Sequence, residues 1–349
     1  MSYKTATICL GIFLGVFVLW AIGSGVVLQT EWSLSKLLSS AFKGAVSNET
    51  ACNTPGVICG VNPTQTPFVI TNVPVLQETS VFQPKDALCA TQLIQILSTS
   101  YTTGLLPIPP RSLLTVTVLN GPFDSRNIGW ILVTDAVDTE PGQMWIIFRG
   151  SQTNYEWLSD FDWAQVDADG ATVDPRLQPE LAVLAHRGYV DLYATLQNSI
   201  EKAVGDFYDS AFKRNAVSSS VIISGHSLGV GLALMCANNW KVYVDGVNKS
   251  MPLPRVYVTA PPRVGNRLFV DRLLSKFGDN LYAIANDSDI VPTMPYSVQP
   301  NLAGGRPWLY AQLPLITFDV NWGSWDLNHM PAVYLQYLNL KSMQRVSRF

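Results

Sequence analysis

The chain has 349 residues, of which 48% are hydrophobic and only 14% charged, and its formal net charge is −3. That length suits one large domain or two small ones, and the apolar share excludes a chain dominated by disorder. Near-neutral charge without a basic run excludes the electrostatic footprint of a nucleic-acid binder.

From Thr5 to Thr30 there is no charged residue, and Ile8–Leu28 is almost wholly apolar. As a helix this run reaches about 32 Å, enough to cross a hydrocarbon core. Two readings stand side by side. One is an uncleaved signal anchor touching the membrane through residues 8–28, with Gly11 and Gly15 spaced as a G-x-x-x-G helix contact. The other is a cleaved signal peptide, with Ile8–Trp20 as the apolar core and Ala21-x-Gly23 as the cleavage site. Both assign residues 1–29 to targeting. Both put the remainder in the secretory pathway, either membrane-anchored with an extracytoplasmic globular region or secreted.

Residues 30–75 read as a spacer, since Pro55, Pro63, Pro67 and Pro74 among many Thr and Asn oppose regular structure. Cys52 and Cys59 bracket a turn-rich loop, and proximity favours them as a disulfide pair. Asn48-Glu-Thr50 and Asn248-Lys-Ser250 are N-glycosylation acceptors, consistent with an extracytoplasmic location. Cys9 lies in the apolar span, while Cys89 and Cys236 fall on expected helices and read as buried thiols.

The globular region is assigned to residues 76–349. Its pattern predicts a helix over Asp86–Ser100 and strands over Ser112–Leu119, Ile128–Asp135 and Gln143–Phe148, then a long helix over Glu180–Val204. A β-branched strand over 219–224 follows, and an apolar helix over Leu228–Cys236. Later strands are expected at Arg255–Thr259, Leu281–Ala285 and Leu315–Val320, with a closing helix over Asp326–Leu340. Strand alternating with helix implies an α/β architecture with a mostly parallel central sheet covered by helices on both faces.

Between the strand at 219–224 and its helix stand Gly225, Ser227 and Gly229, spaced G-x-S-x-G. Alone this motif is a weak signal; a strand before it and a helix after it make it a nucleophile elbow. The sharp turn holds the serine hydroxyl exposed in a strained backbone conformation. Side chains at 225 or 229 would collide with neighbouring elements, and the helix N-terminus lies beneath the spot where an oxyanion forms.

A serine nucleophile needs an imidazole base and a carboxylate to fix its tautomer. The chain has only three histidines, His186, His226 and His329. His226 adjoins the serine on the elbow, pointing elsewhere, and reads as a packing residue. In elbow-bearing chains the acid and then the histidine follow the serine, which leaves His329. Seven aspartates lie between: Asp245, Asp271, Asp279, Asp287, Asp289, Asp319 and Asp326. Asp289 is best placed, just past the strand Leu281–Ala285, with Asp287 as runner-up.

Six segments in order then carry a family likeness: Phe148-Arg-Gly-Ser151, Trp157-Leu-Ser-Asp160, His186-Arg-Gly-Tyr189, Gly225-His-Ser-Leu-Gly229, Pro262-Arg-Val-Gly-Asn266 and Asn286-x-x-Asp289-x-Val-Pro292-x-x-Pro295. With His329 they make residues 80–349 resemble the class 3, fungal-type triacylglycerol lipases. The resemblance implies an α/β-hydrolase fold and a triad of Ser227, Asp289 and His329. It implies an oxyanion hole from the Ser151 and Leu228 N–H groups, aided by the Ser151 hydroxyl. Asp160 would orient Ser151, and His186 would be a structural histidine near the site. The segment Gln152, Thr153, Asn154, Tyr155, Glu156 and Trp157 stands where that family carries a lid helix, its aromatic residues set among polar ones. Departures are Val230-Gly231 after the elbow, Ala260-Pro261 before Pro262, and the Met-Pro-Ala-Val-Tyr that follows His329.

The expected activity is hydrolysis of acylglycerol esters at a membrane or lipid-droplet interface. A phospholipase or acyltransferase on the same triad is the alternative, and an inactive membrane-tethered binding protein is the rival from another class. No cofactor, metal or nucleic-acid partner is expected, because three histidines without paired ligand spacing and no phosphate loop supply none.

Overall fold

In order along the chain, a computed structural model of the protein contains α1 (Pro84–Thr103), β1 (Leu114–Leu119), β2 (Gly129–Thr134), β3 (Gln143–Phe148) and α2 (Asn154–Phe161). Next come β4 (Gln165–Asp167), β5 (Leu184–His186), α3 (Arg187–Lys213), β6 (Ser220–His226), α4 (Leu228–Asp245), β7 (Arg255–Thr259) and α5 (Arg267–Phe277). Last are β8 (Leu281–Asn286), β9 (Val298–Gln299), β10 (Trp308–Leu309), β11 (Leu315–Phe318), α6 (Trp325–His329) and α7 (Pro331–Gln344). The structure describes residues 82–103, 114–123, 125–134, 142–169, 182–213, 220–245, 253–301 and 306–344. The targeting segment, the spacer, the Cys52–Cys59 pair and both glycosylation acceptors lie outside them. Among the described residues no helix is long and apolar enough to cross a membrane.

Seven strands form one sheet in the order β1-β2-β3-β6-β7-β8-β11. The first two steps are antiparallel and every later step is parallel. In β3 and β7 every residue is buried, as strands covered on both faces require. Period-two alternation splits their side chains between two cores. Ile146, Ile223 and Val258 face the core shared with α3, α4 and α5. Trp145, Ile222 and Tyr257 face the core shared with α1 and α7. The mostly parallel sheet with helices on both faces is thus the α/β-hydrolase arrangement that the sequence predicts.

Three expectations change. The long helix expected from Glu180 begins only at Arg187, because Leu184–His186 pairs antiparallel with Gln165–Asp167 instead. Tertiary pairing overrides the local helical pattern there. The closing helix is broken at Met330, whose ψ of 143° is extended. Pro331 forces that break, since its ring disfavours helical backbone in the residue before it, and it then starts α7. Helix α5 was not expected at all. Its start was nonetheless legible, because the Asn266 side chain caps the Phe269 N–H at 3.0 Å.

Candidate active site

The turn from β6 into α4 holds Ser227 at φ +58°, a left-handed conformation rare for a residue with a side chain. Both flanking glycines are required sterically. A Cβ at Gly225 would lie 2.0 Å from the Gly229 carbonyl oxygen, and one at Gly229 would lie 2.4 Å from that of Phe148. The departure at Gly231 has a packing reason too, since a Cβ there would lie 2.4 Å from the Tyr189 ring.

Ser227 Oγ lies 2.8 Å from His329 Nε2, and His329 Nδ1 lies 2.8 Å from Asp289 Oδ2. With the Nδ1–H donated to the carboxylate, Nε2 is the free acceptor for the serine proton. Asp289 is buried, and its Oδ1 accepts the Val291 N–H at 2.9 Å. Two asparagines tie the acid loop to the histidine loop. Asn286 Nδ2 donates to the carbonyls of Val320 and Asn328, while Asn328 Nδ2 donates to that of Ser288. Asp287 is exposed, and its backbone N–H donates to the Phe318 carbonyl. His226 does point away from the nucleophile, with Nδ1 3.0 Å from Thr259 Oγ1. Burial first, and then the neighbouring His329, hold its pKa well below the usual histidine value. It therefore stays neutral beside the His329 ring.

On the other side of Ser227 runs the segment after β3. A Cβ at Gly150 would lie 3.3 Å from Ser227 Cβ, so the backbone at Gly150 borders Ser227 directly. The Leu228 N–H opens α4, where first-turn N–H groups have no helical carbonyl beneath them. The Ser151 hydroxyl donates to Asp160 Oδ2 at 2.5 Å, which commits that proton. His186 is fully buried, with Nε2 3.1 Å from the Asp160 carbonyl and its ring stacked 4.1 Å from Tyr189. Burial, opposed by the Ser151 hydrogen bond, raises the Asp160 carboxyl to about 7, and burial lowers His186 to about 4. Between those values neither group carries charge, as a buried pair requires.

Within the segment 152–157, two polar side chains serve the start of α2. Thr153 and Glu156 are buried, not water-facing; they form a capping box at the start of α2, and Glu156 pairs with buried Arg149 at 2.8 Å. Gln152 is exposed, and the Tyr155 ring packs 4.9 Å from the exposed Phe123. The partners missed in the sequence are Arg149–Glu156, Asn328 and Tyr334, whose hydroxyl donates to Asp289 Oδ2 at 2.7 Å. Among the described residues no group of three His, Cys, Asp or Glu side chains could hold a metal ion. Cys89 and Cys236 are buried free thiols, each raised to about 12, chiefly by burial.

A serine on a strand-to-helix elbow, hydrogen-bonded to an imidazole that is itself held by a carboxylate, defines an α/β-hydrolase with a Ser-His-Asp arrangement. Over residues 145–299 the chain matches the family model described as lipase (class 3). It is 28% identical to a lipase of Rhizomucor miehei over 172 residues, covering 49% of this chain and 43% of that protein. It is 29% identical to a chloroplastic phospholipase A1 of Arabidopsis thaliana over 197 residues, covering 48% of this chain and 36% of the relative. A secreted mono- and diacylglycerol lipase of Malassezia globosa is 31% identical over 116 residues, 31% of this chain and 36% of that one. The chain thus spans less than half the length of each of these relatives. The solved triacylglyceride lipase of Rhizomucor miehei superposes with a TM-score of 0.44 at 21% identity, over 66% of this chain and 77% of that one.

Proposed function

We propose that the protein hydrolyses carboxylic esters of glycerolipids by acyl transfer through Ser227. The observation that carries this reading is the continuous hydrogen-bond chain Ser227–His329–Asp289 at the mouth of the elbow. His329 Nε2 takes the serine proton as Oγ attacks the ester carbonyl, and Asp289 stabilises the imidazolium that results. The Ser151 and Leu228 N–H groups receive the oxyanion. The imidazolium then returns its proton to the departing alcohol, and water activated by the same imidazole releases the acid from the acyl-enzyme. A lipid substrate is supported by two exposed apolar side chains beside the triad, Ile290 and Met330, which directly follow Asp289 and His329.

A fluorophosphonate probe is expected to label the parent protein at Ser227; an unlabelled protein would favour the inactive binding protein. A panel of triacylglycerol, diacylglycerol and phospholipid substrates then resolves the head group, a test made necessary by relatives named both as lipases and as phospholipase A1. Asp289→Asn is expected to lower kcat about 10,000-fold through the wrong imidazole tautomer, whereas exposed Asp287→Asn stays within about twofold. Kinetics of both variants decide the acid, and the reverse ranking would move it to 287.

Within this reading the segment 152–157 is a lid over Ser227 that carries two aromatic residues, Trp157 and Tyr155, and the Tyr155 ring meets the exposed Phe123. Aromatic rings settle well at a lipid interface. Tyr155→Ala should therefore lose several-fold more rate on emulsified long-chain ester than on monomeric short-chain ester. Equal losses would remove the lid from the reading. Residues 8–28 are proposed to anchor the enzyme to a membrane with the catalytic region on the non-cytoplasmic side. Carbonate extraction followed by N-terminal sequencing tests this, and a soluble form starting near Ser24 would establish cleavage instead.

A further inference from the structure

Helix α7 carries Tyr334 into the interior, where the residue is fully buried. Its hydroxyl donates to Asp289 Oδ2 at 2.7 Å, the same oxygen that takes the His329 Nδ1–H. The same hydroxyl accepts the Asn286 N–H at 3.2 Å, so its direction is fixed from both sides. The ring is wedged edge-on against Phe318 at 5.3 Å and against His226 at 5.5 Å. Burial first, then the Asp289 charge, raises the phenol pKa well above the usual tyrosine value, so the hydroxyl stays a donor throughout any assay range.

We propose that Tyr334 is a positioning residue of the triad, fixing the Asp289 carboxylate and setting how much of its negative charge reaches His329. The proposal rests on the acyl-transfer reading above. Asp289 accepts from Val291 N–H on Oδ1 and from His329 and Tyr334 on Oδ2. A hydroxyl donating to Oδ2 draws charge from the oxygen that stabilises the imidazolium. The hydroxyl also stops the carboxylate from rotating away when Nδ1–H is momentarily released. Other titratable or charged groups on neighbouring elements are buried, neutral His226, exposed Asp287, exposed Asp319, which accepts the Ser288 hydroxyl at 2.7 Å, Asp326 on α6, and Arg263, which holds the acid loop through the Thr293 and Pro295 carbonyls. None of them shows a hydrogen bond to Oδ2.

The test is the pH profile of kcat/KM on a soluble short-chain ester. In Tyr334→Phe the acid limb should rise by about half a pH unit, because His329 faces a more negative carboxylate. The kcat should fall about tenfold, the worth of one hydrogen bond to a charged group, with KM within about twofold. Phe318→Leu loosens the same packing but keeps the hydroxyl. It should lower the melting temperature and leave the limb where it is. An unmoved limb in Tyr334→Phe, or an equal movement in Phe318→Leu, would overturn the proposal. If Tyr334→Phe does not fold, 3-fluorotyrosine placed at 334 keeps the shape with a stronger donor and should move the limb down; an unmoved limb then overturns it as well. A parent that neither hydrolyses esters nor takes the fluorophosphonate probe would instead overturn the acyl-transfer reading, and this proposal with it.

Discussion

Ser227→Ala is expected to lower kcat/KM for ester hydrolysis by about 10,000-fold or more while the protein stays folded. The chemical loss is large because no other group near the elbow can form the acyl-enzyme. The Ser151 hydroxyl, on the backbone bordering Ser227, already donates to Asp160. Removing the Ser227 hydroxyl deletes one hydrogen bond, to His329 Nε2, from a site that is partly open to water at the histidine. Stability should therefore change by only about 1 kcal/mol. The φ of +58° is required of either side chain, so the strain at the elbow is common to both proteins. Thermal melts followed by circular dichroism check the fold, and titration with a fluorophosphonate checks that labelling has vanished. Substantial turnover by the folded variant would exclude Ser227 as nucleophile.

How much of this site could be read from the sequence depended on whether each signal was local. The elbow is local: two glycines, one serine, a β-branched strand and an apolar helix within sixteen or so residues carry it, and the structure places each where the pattern requires. The pairing of Asp289 with His329 is not local, yet chain order and a shortage of histidines narrowed it to a short choice. That Asp289 rather than Asp287 reaches the imidazole depends on the turn after β8, where the Asp289 N–H bonds the Asn286 carbonyl at 2.9 Å. That geometry has no composition signature. Tyr334 was hidden for another reason. In the pattern of α7 it reads as one more core aromatic, and only the approach of α7 to the end of β8 gives its hydroxyl a partner. Leu184–His186 looked helical because its strand partner, Gln165–Asp167, lies beyond any local window.

The largest loss of stability is expected from Glu156→Ala, about 3–5 kcal/mol, the magnitude of stranding a buried charge. Arg149 and Glu156 both have fully buried side chains. Arg149 spends every N–H it has. Nε donates to the Asn127 carbonyl, NH1 to the Gly150 carbonyl and Glu156 Oε2, and NH2 to the Arg126 carbonyl and Glu156 Oε1. Its guanidinium also lies 4.5 Å over the Tyr101 ring. Glu156 Oε2 in turn accepts the Gln152 and Thr153 N–H groups that would otherwise be orphaned at the start of α2. Deleting the carboxylate therefore leaves a buried cation and several unpaired donors at once. The double variant Arg149→Met with Glu156→Leu removes both charges and should recover a large part of the loss, because the penalty lies in the unpaired ion more than in the absent attraction. Its activity should recover less. The Gly150 carbonyl that Arg149 holds belongs to the backbone bordering Ser227, and an oxyanion donor displaced by even a small distance loses most of its effect. Urea midpoints and kcat for the parent, both single variants and the double variant close the cycle. A Glu156→Ala protein within about 1 kcal/mol of the parent would mean that water reaches the guanidinium and that the pair does not clamp this strand.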